Sequence, residues 1–358
     1  MHSCPQPIRP FIPAVQHGSI TPTELRALGV QDMETIIDFS VNINPYGPTE
    51  AIRAAVEKID FGRYPDPDAL VLREELARAL MRSPDEILVG NGAGELIWLT
   101  ALAFLRSGDE ALILGPTYGE YARAVILTGA RPVFWNAQPH DDFAIHPHAI
   151  AEQLQRHPRV VFLCHPNNPT GRLFPLPELT VWLHHWPETL FVVDEAYLDF
   201  VEQGESALSL QMSNLLVLRS MTKAQSLAGL RLGYAVGPAT MLDALRQMQI
   251  PWSVNIAAQA AGLAALHDAA HIVQQIQWLQ RDKAHLVHEL QRLGWRPLIS
   301  ATHYFLLHVG NAYDFRRRLL EHGVVVRDAS SFGLPGYVRI ATRRPEENQR
   351  LLEAIGRK

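Results

Sequence analysis

Seven short apolar runs punctuate the first two thirds of the chain: EILVG around Leu88, EALILG around Ile113, PVFW around Phe134, VVFLC around Phe162, LFVVDE around Val193, LLVLRS around Val217 and LGYAVG around Ala235. These runs are apolar on both faces, and the stretches between them, such as LIWLTALAFL and YGEYARAVILTG, read as helices. A strand apolar on both faces needs cover on both sides, and a helix between two strands is the crossover that parallel pairing requires. The pattern predicts an α/β fold with a mainly parallel, seven-stranded sheet between helices, the last run being the candidate for an antiparallel strand.

Beyond Val236 the texture changes. A helical stretch from about Ala257 to Leu293 leads into GWRPLIS, YFLLHV, GVVVRD and GYVRIAT, which read as strands, and then into the helix pattern PEENQRLLEAIGRK. Near the start, a Pro-rich arm runs to about Phe11, and TPTELRALG reads as a short helix capped by Thr21 or Thr23. The expected division is an N-terminal arm over 1–45, a large domain over 46–250 and a smaller α+β domain over 251–358, acting as one catalytic unit.

Composition narrows the function. With 358 residues, 47% of them hydrophobic, the chain can bury a large core without staples. Two cysteines, Cys4 and Cys164, make no disulfide framework and suit a reducing cytoplasm. A formal charge of -5 gives no broad basic field for nucleic acid or an anionic membrane. No run approaches the roughly 20 apolar residues of a membrane span, and MHSCPQPIRPFIP lacks the apolar core of a signal peptide. The 16 histidines show no HExxH or other ligand spacing, so no metal is expected. The expected partner is a small molecule.

In open α/β sheets, ligands bind beyond the carboxyl ends of the strands. After EILV comes Gly90-Asn91-Gly92-Ala93-Gly94-Glu95, a glycine-rich turn opening a helix, whose N–H groups and dipole suit a phosphate. Alone, it is also an ordinary strand-to-helix turn. After VVFLC comes His165-Pro166-Asn167-Asn168-Pro169-Thr170-Gly171, and after LFVV comes Asp194-Glu195-Ala196-Tyr197. LLVLR is followed by Ser220-Met221-Thr222-Lys223 and then Gly229-Leu230-Arg231-Leu232-Gly233-Tyr234. An isolated lysine is usually a solvated charge. Asp, Lys and Arg at successive strand ends are different, because a carboxylate under apolar cover is costly unless a cation meets it.

PNNPTG, DEAYLDF, LRSMTK and GLRLGY, in this order over essentially the whole length, resemble the fold-type I pyridoxal-phosphate enzymes of the class I/II aminotransferase superfamily. The resemblance implies pyridoxal 5'-phosphate as cofactor, joined to Lys223 as a Schiff base. Asp194 would pair with the ring nitrogen and keep it protonated, so that the ring accepts the electrons of a bond broken at the substrate Cα. Asn168 and Tyr197 would hydrogen-bond the phenolic oxygen, and Tyr118 would stack on the ring. Backbone groups of Ala93 and Gly94, with Ser220 and Arg231, would meet the cofactor phosphate. Tyr64, in RYPDP, would reach that phosphate from the second subunit of a homodimer with shared active sites. The plain alternatives are a core aromatic for Tyr118 and an interface tyrosine without a ligand for Tyr64.

Two branches are similar: L-threonine O-3-phosphate decarboxylases, which serve cobalamin biosynthesis, and histidinol-phosphate aminotransferases. By resemblance Arg327 would hold substrate phosphate and Arg339 a carboxylate; a guanidinium buried unpaired in an apolar strand would be costly. His17-Gly18, DFSVNINP with Asn42 near the substrate phosphate, PWSVN and the closing RIATRRPEEN point to the decarboxylase, yielding (R)-1-aminopropan-2-yl phosphate. The aminotransferase is the alternative, and HGSI departs from the decarboxylase arm after the His-Gly pair. The outcome depends on which Cα bond stands perpendicular to the cofactor ring, a matter of about an ångström in how the substrate is gripped. An aminotransferase-like sensor domain would carry a DNA-binding segment, and fewer than about 40 residues precede the catalytic region. A nicotinamide dehydrogenase would need the full GxGxxG context, which GNGAGE lacks.

Overall fold

The computed structural model describes residues 15, 18–20, 22–27 and 36–356. Ile37–Asp38 (β1) comes first among the strands. Ile87–Gly90 (β2), Glu110–Gly115 (β3), Arg131–Asn136 (β4), Val160–Cys164 (β5), Leu190–Asp194 (β6), Leu215–Ser220 (β7) and Gly233–Val236 (β8) form one sheet in the order β2-β8-β7-β6-β5-β3-β4. Only β8 runs against its neighbours. This is the seven-stranded, mainly parallel α/β sheet that the apolar runs predict, with its last run antiparallel.

Alternate residues explain why both faces are apolar. Ala111, Ile113, Phe162 and Val192 pack with Leu96, Ile97 and Val125 on one side, while Leu112, Leu114, Val161 and Val193 pack with Ile150, Leu179 and Trp182 on the other. β4 is the exception. It is an edge strand, which is where Pro132, having no N–H to donate, can be accommodated, and Phe134 is half exposed.

Tyr304–His308 (β9), Val324–Val325 (β10), Arg327–Asp328 (β11) and Tyr337–Ala341 (β12) follow. β11, β12 and β9 form a three-stranded antiparallel sheet, and β10 pairs in parallel with β1. Phe305, Leu307, Val338 and Ile340 face a core with Leu286, Leu290, Phe315 and Leu351. By the period of two, Arg339 points to the opposite face.

Three local expectations are corrected. The stretch 257–293 is two helices, Ile256–His267 and Ala269–Arg292, broken at Asp268, whose backbone (φ -107°, ψ 23°) is not helical and whose carboxylate accepts from His271 at the start of the second helix. GWRPLIS makes no strand beyond an isolated bridge at Pro297. The short helix near the start spans Pro22–Ala27, so Thr23 lies inside it, and Thr21 and Cys4 lie outside the described residues. No helix among the described residues is long and apolar enough to cross a membrane.

Candidate active site

The carboxyl edge of the large sheet opens into a cavity of about 410 Å³. The helix Gly92–Phe104 begins two residues after β2, with Gly92 at φ +75°. An ideal Cβ on Gly92 would stand 2.7 Å from Arg231 Nη2, so glycine permits both the turn and the approach of the guanidinium. Because β8 is antiparallel, the segment before it, rather than after it, meets this edge. That places Arg231 beside the ends of β2 and β7, with Gly233 opposite both Gly90 and Ser220. A Cβ on Gly233 would lie 2.6 Å from the Ala93 nitrogen. Ser220 and Thr222 share a hydrogen bond of 2.7 Å between their hydroxyls. First-turn N–H groups, two hydroxyls and a guanidinium make an anion-binding corner.

Asp194 ends β6 and is buried. Tyr121 Oη donates to its Oδ2 at 2.6 Å, and the Ala196 N–H donates to Oδ1 at 3.0 Å. Burial pushes this carboxyl up from its usual range, and Tyr121, Ala196 and Lys223 pull it back. Lys223 lines the same cavity, its Nζ 5.7 Å from the Tyr197 ring centre. Burial, then Arg339 and Arg231, push its ammonium down to about 8 against the pull of Asp194. An amine so placed is neutral often enough near neutral pH to attack an aldehyde.

The small sheet supplies the opposite wall. Arg327 and Arg339 are direct cross-strand partners on β11 and β12. Arg339, 4% exposed, donates from Nη2 to the Ser40 carbonyl at 2.6 Å and from Nη1 to Asn168 Oδ1, lies over the Tyr304 ring, and has an Nε with no hydrogen bond. Arg327 donates from Nη2 to Ser331 Oγ at 2.6 Å and lies over Phe332. Burial and then Arg339 push its guanidinium down to about 10.

Gly18, Asn42, Ala93, Gly94, Tyr118, Asn168, Asp194, Tyr197, Ser220, Lys223, Arg231, Arg327 and Arg339 all line this one cavity. Gly18 touches the Ser40 carbonyl so closely that a Cβ would sit 2.3 Å from it. Asn42 is buried beside Tyr197, whose hydroxyl burial pushes up and Arg339 and then Asn42 pull back, and its amide closes no well-directed hydrogen bond. Tyr64 is not brought in: it is 81% exposed and packs on Trp252 at 4.9 Å. His17 lies outside the described residues. The sequence reading missed Tyr121, Thr222, Cys164 and Ser40, which also line the cavity. Tyr121 stands three residues after Tyr118, a spacing that could have drawn attention to it.

An amine of lowered basicity, an anion corner, a buried carboxylate and an aromatic wall fit a group with an aldehyde, a phosphate, a basic ring nitrogen and a flat ring. That is the chemistry of pyridoxal 5'-phosphate.

Comparison with known proteins agrees. The family model for aminotransferase class I and II matches residues 34–355. The histidinol-phosphate aminotransferase of Symbiobacterium thermophilum is 36% identical over 97% of this chain and 95% of its own length. Histidinol-phosphate aminotransferase 1 of Cupriavidus pinatubonensis is 33% identical over 91% and 89%. Among solved structures, the L-threonine-O-3-phosphate decarboxylase of Porphyromonas gingivalis is 31% identical, with a TM-score of 0.80 over 88% of this chain and 97% of that one.

The expected decarboxylation of L-threonine O-3-phosphate is overturned by these relatives: curated proteins 31–36% identical over most of the chain are histidinol-phosphate aminotransferases. The features that favoured the decarboxylase, His17-Gly18, DFSVNINP, PWSVN and RIATRRPEEN, are short segments, whereas these relatives match along most of the chain. The cofactor is pyridoxal 5'-phosphate, and the chain belongs to the class I and II aminotransferase family.

Proposed function

We propose that this chain is an aminotransferase acting on histidinol phosphate, with a 2-oxo acid such as 2-oxoglutarate as amino acceptor, and that it works as a cytoplasmic homodimer. The observation that carries this choice is the 36% identity, over 97% of the chain, to a histidinol-phosphate aminotransferase. Two opposed guanidiniums across the cavity from Lys223 support a substrate pair bearing a phosphate and a carboxylate.

In this reading, Ala93 and Gly94 N–H groups, Ser220 and Arg231 bind the cofactor phosphate, Tyr118 covers the ring, and Asn168 and Tyr197 hold its phenolic oxygen. When bound, pyridoxal 5'-phosphate supplies a protonated ring that accepts the electron pair left at the substrate Cα. Asp194 supplies the negative charge that keeps the ring nitrogen protonated. Lys223 takes the Cα proton and holds it at Nζ, a task suited to an amine pushed down to about 8. Arg327 holds the phosphate of the amine and Arg339 the carboxylate of the oxo acid, with Gly18 and Asn42 lining the cavity beside them; a substrate contact for His17 belongs to the same reading. Exposed Phe61, Ile250 and the paired Tyr64 and Trp252 support a partner subunit seated on them, and the division at 45 and 250 stands as part of this reading.

The test is to incubate purified protein with histidinol phosphate and 2-oxoglutarate and to measure glutamate. Glutamate formation is expected. Absence of glutamate, together with CO2 released from L-threonine O-3-phosphate without any oxo acid, would overturn the reading.

A further inference from the structure

We propose that Tyr121 is the positioning residue for Asp194: its hydroxyl fixes the buried carboxylate in one orientation and keeps it a charged acceptor facing the cofactor ring nitrogen. This rests on the role given to Asp194 above and adds a residue outside PNNPTG, DEAYLDF, LRSMTK and GLRLGY.

The geometry is over-determined in a way a filler aromatic does not need. Tyr121 is fully buried, stacked on Phe162 with ring centres 5.3 Å apart and planes at 9°, and met edge-on by Tyr118 at 5.7 Å and 85°. Phe162 lies on β5, and the residue two further along, Cys164, is the register partner of Asp194 on β6. The same pair of strands therefore presents the carboxylate and the platform that aims the phenol at it. Tyr121 and Ala196 take one oxygen each, so the carboxylate cannot rotate without breaking a bond.

Chemistry gives the second part. Tyr118, Tyr121, Tyr197, Cys164 and Lys223 are the titratable groups that act on Asp194 or are acted on by it, and Lys223 is the one cation among them. Burial holds the phenols and the thiol in their protonated forms, so Tyr121 donates and adds no second anion. Remove the hydroxyl and burial shifts the carboxyl toward its neutral acid, which cannot neutralise a protonated ring nitrogen.

The experiment compares wild type, Tyr121→Phe, Asp194→Asn and the double variant, measuring cofactor affinity by absorbance titration across pH and the melting of the cofactor-free proteins. Tyr121→Phe should melt close to wild type, bind cofactor about 10-fold more weakly, and lose affinity on acidification at a higher pH than wild type does. In the Asp194→Asn background the same substitution should change affinity less than about twofold. Wild-type affinity and pH profile in Tyr121→Phe would overturn the proposal alone. An equal loss in both backgrounds would overturn it too, since the tyrosine would not be acting through Asp194. Asp194→Asn binding cofactor like wild type would overturn the role of Asp194 and this proposal together, leaving the glutamate assay to judge the aminotransferase reading. A Tyr121→Phe protein that does not fold would assign the hydroxyl to stability and also overturn it.

Discussion

On the large-sheet wall of the cavity, Asp194 has a donor on each oxygen, Tyr121 and Ala196, and Lys223 nearby as its cation. On the small-sheet wall, Arg327 and Arg339 stand opposite one another on neighbouring strands, and Arg339 keeps a buried Nε without an acceptor. The carboxylate of the first wall has its partners within the chain. The second wall sets two guanidiniums directly across neighbouring antiparallel strands, an arrangement that favours an anion between them. The contrast fits a division of labour in which the large sheet holds a resident group and the small sheet receives anions that come and go.

Lys223→Ala should have the largest effect. It removes the amine of the large-sheet wall, and turnover should fall by about 10⁴-fold, with loss of the visible absorbance that the cofactor acquires on the protein. Retained turnover would remove the lysine from the chemistry. Arg339→Gln comes next. Losing a buried, hydrogen-bonded charge costs about 2–5 kcal/mol, so kcat/KM for the oxo acid should fall by roughly 30-fold to several thousandfold. Arg327→Gln should be smaller and selective: kcat/KM for histidinol phosphate should drop about 10- to 100-fold, while the half-reaction with glutamate changes less than about threefold. Equal losses in both half-reactions would show that the two arginines grip as a unit. The smallest effect is in pH. A lysine pushed down to about 8 becomes neutral as pH rises through that value, well below its ordinary range, so the rate of cofactor attachment to the cofactor-free protein should rise through pH 8 and level off above it. In Arg339→Gln the loss of a neighbouring positive charge should move that rise to higher pH.

Much of the large-sheet wall is legible in the sequence and much of the small-sheet wall is not. Asp194 and Ser220 close apolar runs and Lys223 comes three residues after Ser220, and the first polar residues at the end of a buried strand have to emerge at the sheet edge. VVVRD carries no such rule. It is divided between two sheets, Val324–Val325 with β1 and Arg327–Asp328 with β12, and only that division puts Arg327 beside Arg339. Tyr121 is not singled out by the sequence, since its bond to Asp194 joins residues 73 positions apart. Tyr64 has the family motif but lies on the outer surface of a single chain, so its predicted role needs a second one.

The sequence by itself determined the layered α/β architecture, the carboxyl edge as the place of chemistry, and the polar residues that close each apolar run, because burial dictates strand periodicity and the chain must leave the core where its apolar residues stop. Tertiary structure decided the rest. The antiparallel setting of β8 delivers Arg231 from the segment before the strand. The cross-strand register of β11 and β12 opposes two arginines, and the pairing of β5 with β6 seats Tyr121 against Asp194. The physical reason is that side-chain direction in a sheet reverses with every residue, so a contact between distant segments depends on strand order and register, which local pattern does not contain.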